Sequence, residues 1–257
     1  MRRSPELEVP IATLALDLGN TTLRAGLFAG EVWGSVETVS LEAFLAGSFS
    51  IPEAWRDASR CGLATVQGAG ADDLLSRWPS DLPEPKVLRS FEDIPLPLGE
   101  SVEVPESVGV DRMLNVLGWI ATTGDPTVIT VDFGTAITID WGRDGAFGGG
   151  LILPGPALMV RALASGTDRL PEIEATWDPH PSGGETVSAI RRGVSALVSG
   201  GVEQALVALR AQLGEATPIV ATGGGSAHWS FAVPSIERVM PHLTLDGVVA
   251  ALELTSS

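Results

Sequence analysis

Along residues 128–140, VITVDFGTAITID, a short apolar run reaches Asp132, gives way to Phe133-Gly134-Thr135, and resumes with apolar residues at alternate positions towards Asp140. Residues 14–28, LALDLGNTTLRAGLF, repeat the pattern: an apolar run ends in Asp17, Leu18-Gly19-Asn20-Thr21 follows, and a second run begins. Superposing Asp17 on Asp132 brings Leu18 onto Phe133, Gly19 onto Gly134 and Asn20 onto Thr135, so one supersecondary unit is used twice. A period near two on both sides of a glycine turn predicts the start of a β-meander in each copy. Residues 30–40 extend the first meander; residues 146–153 extend the second, after a hairpin turn at Gly142-Arg143-Asp144-Gly145.

The pattern elsewhere predicts short helices over 41–46 and 72–78 and core strands over 59–66 and 87–89, the last inside a proline-rich surface segment at 79–99. Met113, Val116, Leu117 and Ile120 recur with helical spacing, so a helix begins near Asp111 and stops at Gly124. Pro156 suits the first turn of a helix over 157–164. Residues 185–213 read as helical with breaks at Gly193 and Gly200-Gly201. A buried strand at 218–221 runs into Thr222-Gly223-Gly224-Gly225-Ser226 and a further helix, and the apolar run VVAALEL predicts a last helix. These elements make an α/β protein of two domains, 1–124 and 125–257.

The candidate chemistry sits at the repeated turns. An aspartate ending a buried strand is costly unless it meets a cation or donors, while the following glycine lets backbone N–H groups approach an anion. One such turn would be ordinary hairpin chemistry; two in matching contexts facing each other would hold a metal-bound polyphosphate. The glycine turn at 222–226, between strand and helix, is a further place for a nucleoside or phosphate. Asp111 and Arg112 fall at a helix start, where an acid is either a cap or a reactive group.

Charge and composition narrow the classes. A net charge of −16 argues against nucleic acid or an anionic membrane as partner. Lys86 is the only lysine and directly follows Pro83-Glu84-Pro85, so the lysine of a Walker-type phosphate loop is missing. Cys61 is alone, which excludes a disulfide framework and fits a reducing, cytoplasmic setting. The start MRRSPELEVP does not read as a signal peptide, and no uninterrupted apolar span of about 20 residues predicts a membrane helix.

Taken in order, Asp17-Leu18-Gly19-Asn20-Thr21, Gly109-Val110-Asp111-Arg112, Asp132-Phe133-Gly134-Thr135-Ala136, Gly149-Gly150 to Pro154-Gly155, Gly184-Glu185-Thr186, and Thr222-Gly223-Gly224 to Leu243-Thr244-Leu245-Asp246-Gly247 resemble a type III pantothenate kinase. That family belongs to the acetate and sugar kinase/Hsc70/actin superfamily. The resemblance implies two duplicated ribonuclease-H-like domains, the actin-like ATPase fold, with the active site in the cleft between them. It implies ATP-dependent phosphorylation of pantothenate to 4′-phosphopantothenate, the first step of coenzyme A biosynthesis, by a homodimer. Carried over by position, Asp17, Leu18, Gly19, Asn20, Thr21, Thr22, Leu23, Arg24 and Thr135 would bind ATP. Val102, Gly109, Val110, Asp111, Arg112 and Thr186 would bind the acceptor, with Asp111 as proton acceptor. Asp132 would hold a monovalent cation, potassium or ammonium, and magnesium would accompany ATP. Two positions depart from the family pattern: Val102 stands where a tyrosine is usual, in a chain with no tyrosine, and Glu185 stands where asparagine is frequent. Both touch the acceptor pocket, so a superfamily kinase for another small hydroxy compound and a nucleotide-binding regulatory or accessory protein without turnover remain alternative readings.

Overall fold

The computed structural model describes residues 11–20, 22–30, 32–66 and 68–255. A first sheet contains β1 (Ala12–Leu18), β2 (Thr22–Ala29), β3 (Val32–Ser40), β4 (Arg60–Thr65) and β5 (Pro85–Leu88), in the order β3-β2-β1-β4-β5. A second contains β6 (Val128–Phe133), β7 (Ala136–Arg143), β8 (Ala146–Pro154), β9 (Ile219–Thr222) and β10 (Arg238–Val239), in the order β10-β9-β6-β7-β8. Read from its other edge, the second order is the first with five added to each number, so the duplication seen in the turns extends to the whole sheet. In both, the central strand pairs antiparallel with its successor and parallel with the strand that returns on its other side.

The helices are α1 (Leu41–Leu45), α2 (Gly68–Ser76), α3 (Ser90–Asp93), α4 (Val110–Thr123), α5 (Pro156–Ser165), α6 (Thr186–Leu213), α7 (Ser226–Trp229) and α8 (Leu243–Leu254). Strand alternation distributes the side chains of each sheet between two cores. Leu14, Leu16, Leu18 and Leu63 face Phe44 of α1 and Leu74 of α2, whereas Ala15 and Ala64 face the opposite side, towards α4 and α8. On the second sheet Ile129, Val131, Ile137 and Ile139 face α6, whereas Val128, Phe147 and Val220 join the α4/α8 core. That shared central core holds the two sheets together.

α6 runs unbroken through Gly193, Gly200 and Gly201, contrary to the interruptions expected there. Ile190, Val194, Val198, Val202 and Leu206 recur every fourth residue and are all buried against the second sheet. This continuous stripe outweighs the roughly 1 kcal/mol per glycine that favours a break. α8 also begins earlier than its apolar run implied, at Leu243, and packs on β1, β4 and α4. The last segment of the chain thus lies against the first sheet, although residues 125–239 form the second. α4 and α8 cross with their backbones in contact: a Cβ on Gly118 would stand 2.3 Å from the Leu243 carbonyl oxygen, and one on Gly247 would stand 2.1 Å from that of Leu114.

Candidate active site

Asp17 and Asp132 hold the penultimate positions of β1 and β6, the central strands of the two sheets. They line a single cavity of about 270 Å³ that also takes in Asp111 of α4 and residues of both turns, Gly19, Asn20, Gly134 and Thr135. Three carboxylates therefore face one space, and among the described residues lining it Arg24 of β2 is the one arginine or lysine. Burial raises the Asp17 carboxyl to about 7, with the negative charges of Asp132 and Asp111 adding to the rise and Arg24 opposing it. Burial likewise raises Asp132 to about 6 against the hydrogen bond from Asn115. Three carboxylates against one arginine leave an excess of acidic groups at the cavity, a setting that would favour oxygen-preferring cations.

Elements remote in sequence position these groups. Asn115 Nδ2 on α4 donates to Asp132 Oδ2 at 3.1 Å, and Thr244 Oγ1 on α8 donates to Asn115 Oδ1 at 2.8 Å. Arg24 Nη2 donates to the Pro241 carbonyl at 2.8 Å and lies 3.3 Å from His242 Nδ1, just before α8. Asp111 is not the N-cap of α4; Gly109 occupies that position, and Asp111 Oδ1 accepts from the Arg112 N–H at 2.9 Å. A Cβ on Gly109 would lie 2.5 Å from Asp111 Oδ1, so a side chain at that position would displace the carboxylate. Burial raises the Asp111 pKa, with the Arg112 backbone hydrogen bond opposing it. A raised pKa makes a carboxylate a better proton acceptor.

The other sequence candidates fall in several places. Asn20, Thr22 and Thr135 line the cavity, whereas the Leu18 and Leu23 side chains are buried in the core, leaving only their backbones for a ligand. Thr21 lies outside the described residues. Val110 is buried, and Val102 is half-buried against the α4/α8 core. Arg112 is absent from the residues lining the cavity: its Nε and Nη2 both reach Asp140 Oδ1 on β7, at 2.8 and 2.6 Å, and its guanidinium lies over the Phe147 ring. Thr186 is exposed at the first turn of α6. Glu185 caps that helix, its carboxylate accepting from the N–H groups of Val187 and Ser188 at 3.0 and 2.8 Å, which gives this departure from the family pattern a local structural role.

Sequence patterns assign no site role to Asn115, Asp140 or Thr244. Asn115 carries a signal, a polar residue between Leu114 and Val116 on a buried face; Asp140 and Thr244 become legible only through their partners. A second cavity of about 530 Å³ shares Thr22, Arg24, Gly134, Thr135, Gly223 and Gly224 with the first and continues to Ser226, Trp229 and Pro156. The two together have the extent of a polyphosphate joined to a nucleoside, with the glycine turn at their junction. Among the described residues no group of three or more His, Cys, Asp or Glu is arranged to hold a metal ion unaided. The acids here suit a cation that completes its shell with phosphate oxygens and water, the usual habit of magnesium.

A family model described as type III pantothenate kinase matches residues 13–208. A type III pantothenate kinase from Kosmotoga olearia is 36% identical over 152 residues, which span 59% of this chain and 58% of that one. Another, from Frankia alni, is 30% identical over 252 residues, covering 93% of this chain and 98% of its own length. A conserved protein from Campylobacter jejuni, assigned to the Baf family of transcriptional activators, superposes with a TM-score of 0.57 at 19% identity, over 95% of this chain and 98% of that one. That last likeness is one of fold. The duplicated sheets about a cleft are those of the actin-like ATPase fold that the motifs implied.

Proposed function

Since the chain belongs to the type III pantothenate kinase family, we propose that it transfers the γ-phosphoryl group of ATP to the primary hydroxyl of pantothenate, giving 4′-phosphopantothenate and ADP at the entry to coenzyme A biosynthesis. ATP use follows from the family. The observation that carries the reading is the convergence of Asp17, Asp111 and Asp132 on one cavity between the two duplicated turns.

In this reading the hydroxyl oxygen bonds to the γ-phosphorus as the bond to the ADP oxygen breaks, and the hydroxyl proton passes to Asp111. Magnesium on the nucleotide, with potassium or ammonium as monovalent cation, supplies neutralisation of the spread phosphoryl charge. The residues between Asp17 and Arg24, with Thr135, hold the phosphates through backbone N–H groups and hydroxyls, and Arg24 is the cation nearest them. Asp132, fixed by Asn115, faces the monovalent cation. Gly109, Val110, Arg112, Val102 and Thr186 belong to the acceptor side. Phosphoryl transfer needs positioning and charge compensation more than covalent chemistry from the protein, and three half-buried carboxylates with one arginine supply that only when cations are present.

A coupled assay of ATP consumption, run with pantothenate and a panel of other hydroxy acids, with and without potassium, tests the proposal. Turnover with pantothenate that depends on potassium is the expected result. Turnover with another hydroxy compound alone assigns a different acceptor, and ATP binding without turnover assigns the accessory role. We also propose a homodimer. Leu158 and Leu163 of α5 and Leu197 of α6 are exposed around an apolar groove of about 440 Å³ between these helices, a face suited to a second copy. Leu197→Glu is expected to halve the mass measured by light scattering; an unchanged dimer mass places the interface elsewhere.

A further inference from the structure

We propose that a separate cavity of about 630 Å³, between the β2–β3 edge of the first sheet and α8, is a binding site for small organic ammonium compounds, and that its occupancy is felt at the nucleotide through Arg24. The site itself stands apart from the phosphotransfer reading; only the effect on ATP rests on it.

Among the described residues this cavity shares none of its lining with the carboxylate cavity, and only Pro241 with the one of about 530 Å³. Its walls come from elements remote in sequence: Phe28 of β2, Trp33 of β3, Ala121 in the last turn of α4, the segment 239–242, and α8, where Asp246 and Glu253 stand seven residues apart on one face. Trp33 is the middle of three rings, its centroid 5.1 Å from that of Phe28 and 6.1 Å from that of His242. Its Nε1 donates to Asp246 Oδ1 at 2.7 Å, which fixes the carboxylate beside the aromatic row.

Charge then selects the ligand. No arginine or lysine lines the cavity among the described residues. Glu253 is paired with Arg60 at 3.1 Å, whereas the donor to the half-buried Asp246 side chain is a neutral indole. Burial raises the Asp246 carboxyl against that hydrogen bond, as befits an acid without a cation beside it, and burial and Arg24 both hold His242 towards its neutral form. A carboxylate set among ring faces suits an ammonium group, which meets the charge of the one and the quadrupole of the others. An anion would be repelled here, and a neutral molecule would leave the acid uncompensated. The volume is that of a small-molecule site, with room for an apolar body beside the charged head.

The path to the nucleotide is short. Arg24 lines the carboxylate cavity, yet its Nη2 donates to the Pro241 carbonyl at 2.8 Å and lies 3.3 Å from His242 Nδ1. Pro241 and His242 also line the ammonium site. A ligand packed on them steadies the segment that holds Arg24 and so opposes its movement towards the phosphates, which weakens ATP binding by a differential affinity between the two arrangements.

Calorimetric titration with 2-phenylethylammonium chloride, and with 2-phenylethanol as its uncharged counterpart, tests the site. Saturable binding of the amine is expected, with the alcohol at least tenfold weaker, and the indole N–H signal that disappears in Trp33→Phe is expected to shift on titration. No saturable binding of the amine, equal binding of both compounds, or an unmoved Trp33 signal overturns the proposal. Asp246→Asn, which can still accept from the indole, is expected to weaken the amine at least tenfold and the alcohol less than about twofold; equal effects on both overturn it. Should Asp246→Asn fail to fold, Ala121→Trp fills the cavity from an exposed position and is expected to abolish amine binding, whereas retained binding overturns the site. Saturating amine is expected to raise the Kd of magnesium-ATP about threefold in the unaltered protein and to leave it unchanged in Ala121→Trp; an unchanged Kd in the unaltered protein overturns the link to Arg24. If the unaltered protein binds no ATP, the phosphotransfer reading fails separately, and the titrations with amine and alcohol still decide the site.

Discussion

At the scale of single residues, the candidate site is a set of acids placed where acids are unstable alone. Asp111 is half-buried beside Gly109, and its raised pKa brings it closer to the pH at which it would work as a base. Asp111→Asn keeps the shape and removes the acceptor, so turnover is expected to fall by about 10² or more while ATP affinity stays nearly constant. Retention of turnover within about threefold would leave Asp111 a structural acid only. Asp132 differs, since its Oδ2 accepts from Asn115 and, in the proposed reading, it faces the monovalent cation. Asp132→Ala is expected to abolish the activity difference between potassium and sodium more completely than it lowers the unfolding temperature. Equal activity of the unaltered protein in both salts would remove the monovalent cation from the mechanism.

At the scale of elements, the crossing of α4 and α8 is what brings Thr244 to Asn115 and Asn115 to Asp132. The crossing is close because Gly118 and Gly247 let backbone meet backbone. Gly247→Ala forces a methyl group against the Leu114 carbonyl, and overpacking of this kind costs about 1–3 kcal/mol. The expected result is a lower urea midpoint with an unchanged m-value, accompanied by weaker potassium activation, since the helix that carries Asn115 moves. A lower midpoint with potassium activation intact would separate the crossing from the site. α6 shows the converse, for its three glycines meet a buried stripe that holds the helix straight.

At the scale of the whole molecule, folding withdraws carboxylates from water, and the proposed cations would compensate them. Asp17 rises to about 7, and Asp132 and Asp140 each rise to about 6, all mainly through burial. A carboxyl whose folded pKa lies above its unfolded value favours the folded state while protonated, and that contribution is lost as pH rises from about 4 towards about 7. Asp178 and Glu185, whose pKa values are lowered by hydrogen bonds, act in the opposite sense and below that window. Without nucleotide or divalent cation, the unfolding temperature is therefore expected to drop between pH 5 and pH 8. Magnesium with ATP should restore more of it at pH 8 than at pH 5, which a thermal-shift series measures. A rise across this range in the metal-free protein would mean that the acids are compensated by groups of the chain itself. No helix among the described residues is long and apolar enough to cross a membrane.

The sequence by itself determined whatever depends on near neighbours: the two meanders with their acids at matching ends, the start of α4 at the Gly-Val-Asp-Arg motif, and the helical character of residues 185–213, though not its continuity through the glycines. Strand and helix periods are local, so turn glycines and apolar spacing suffice to read them. Tertiary structure alone decided which distant groups meet. Arg24 finds Pro241 across 217 residues, Thr244 finds Asn115 across 129, and Arg112, expected at the acceptor, is held by Asp140. The physical reason is that a buried polar group must be satisfied by whatever partner the packing delivers, and that choice is made when α4 and α8 close between the two sheets.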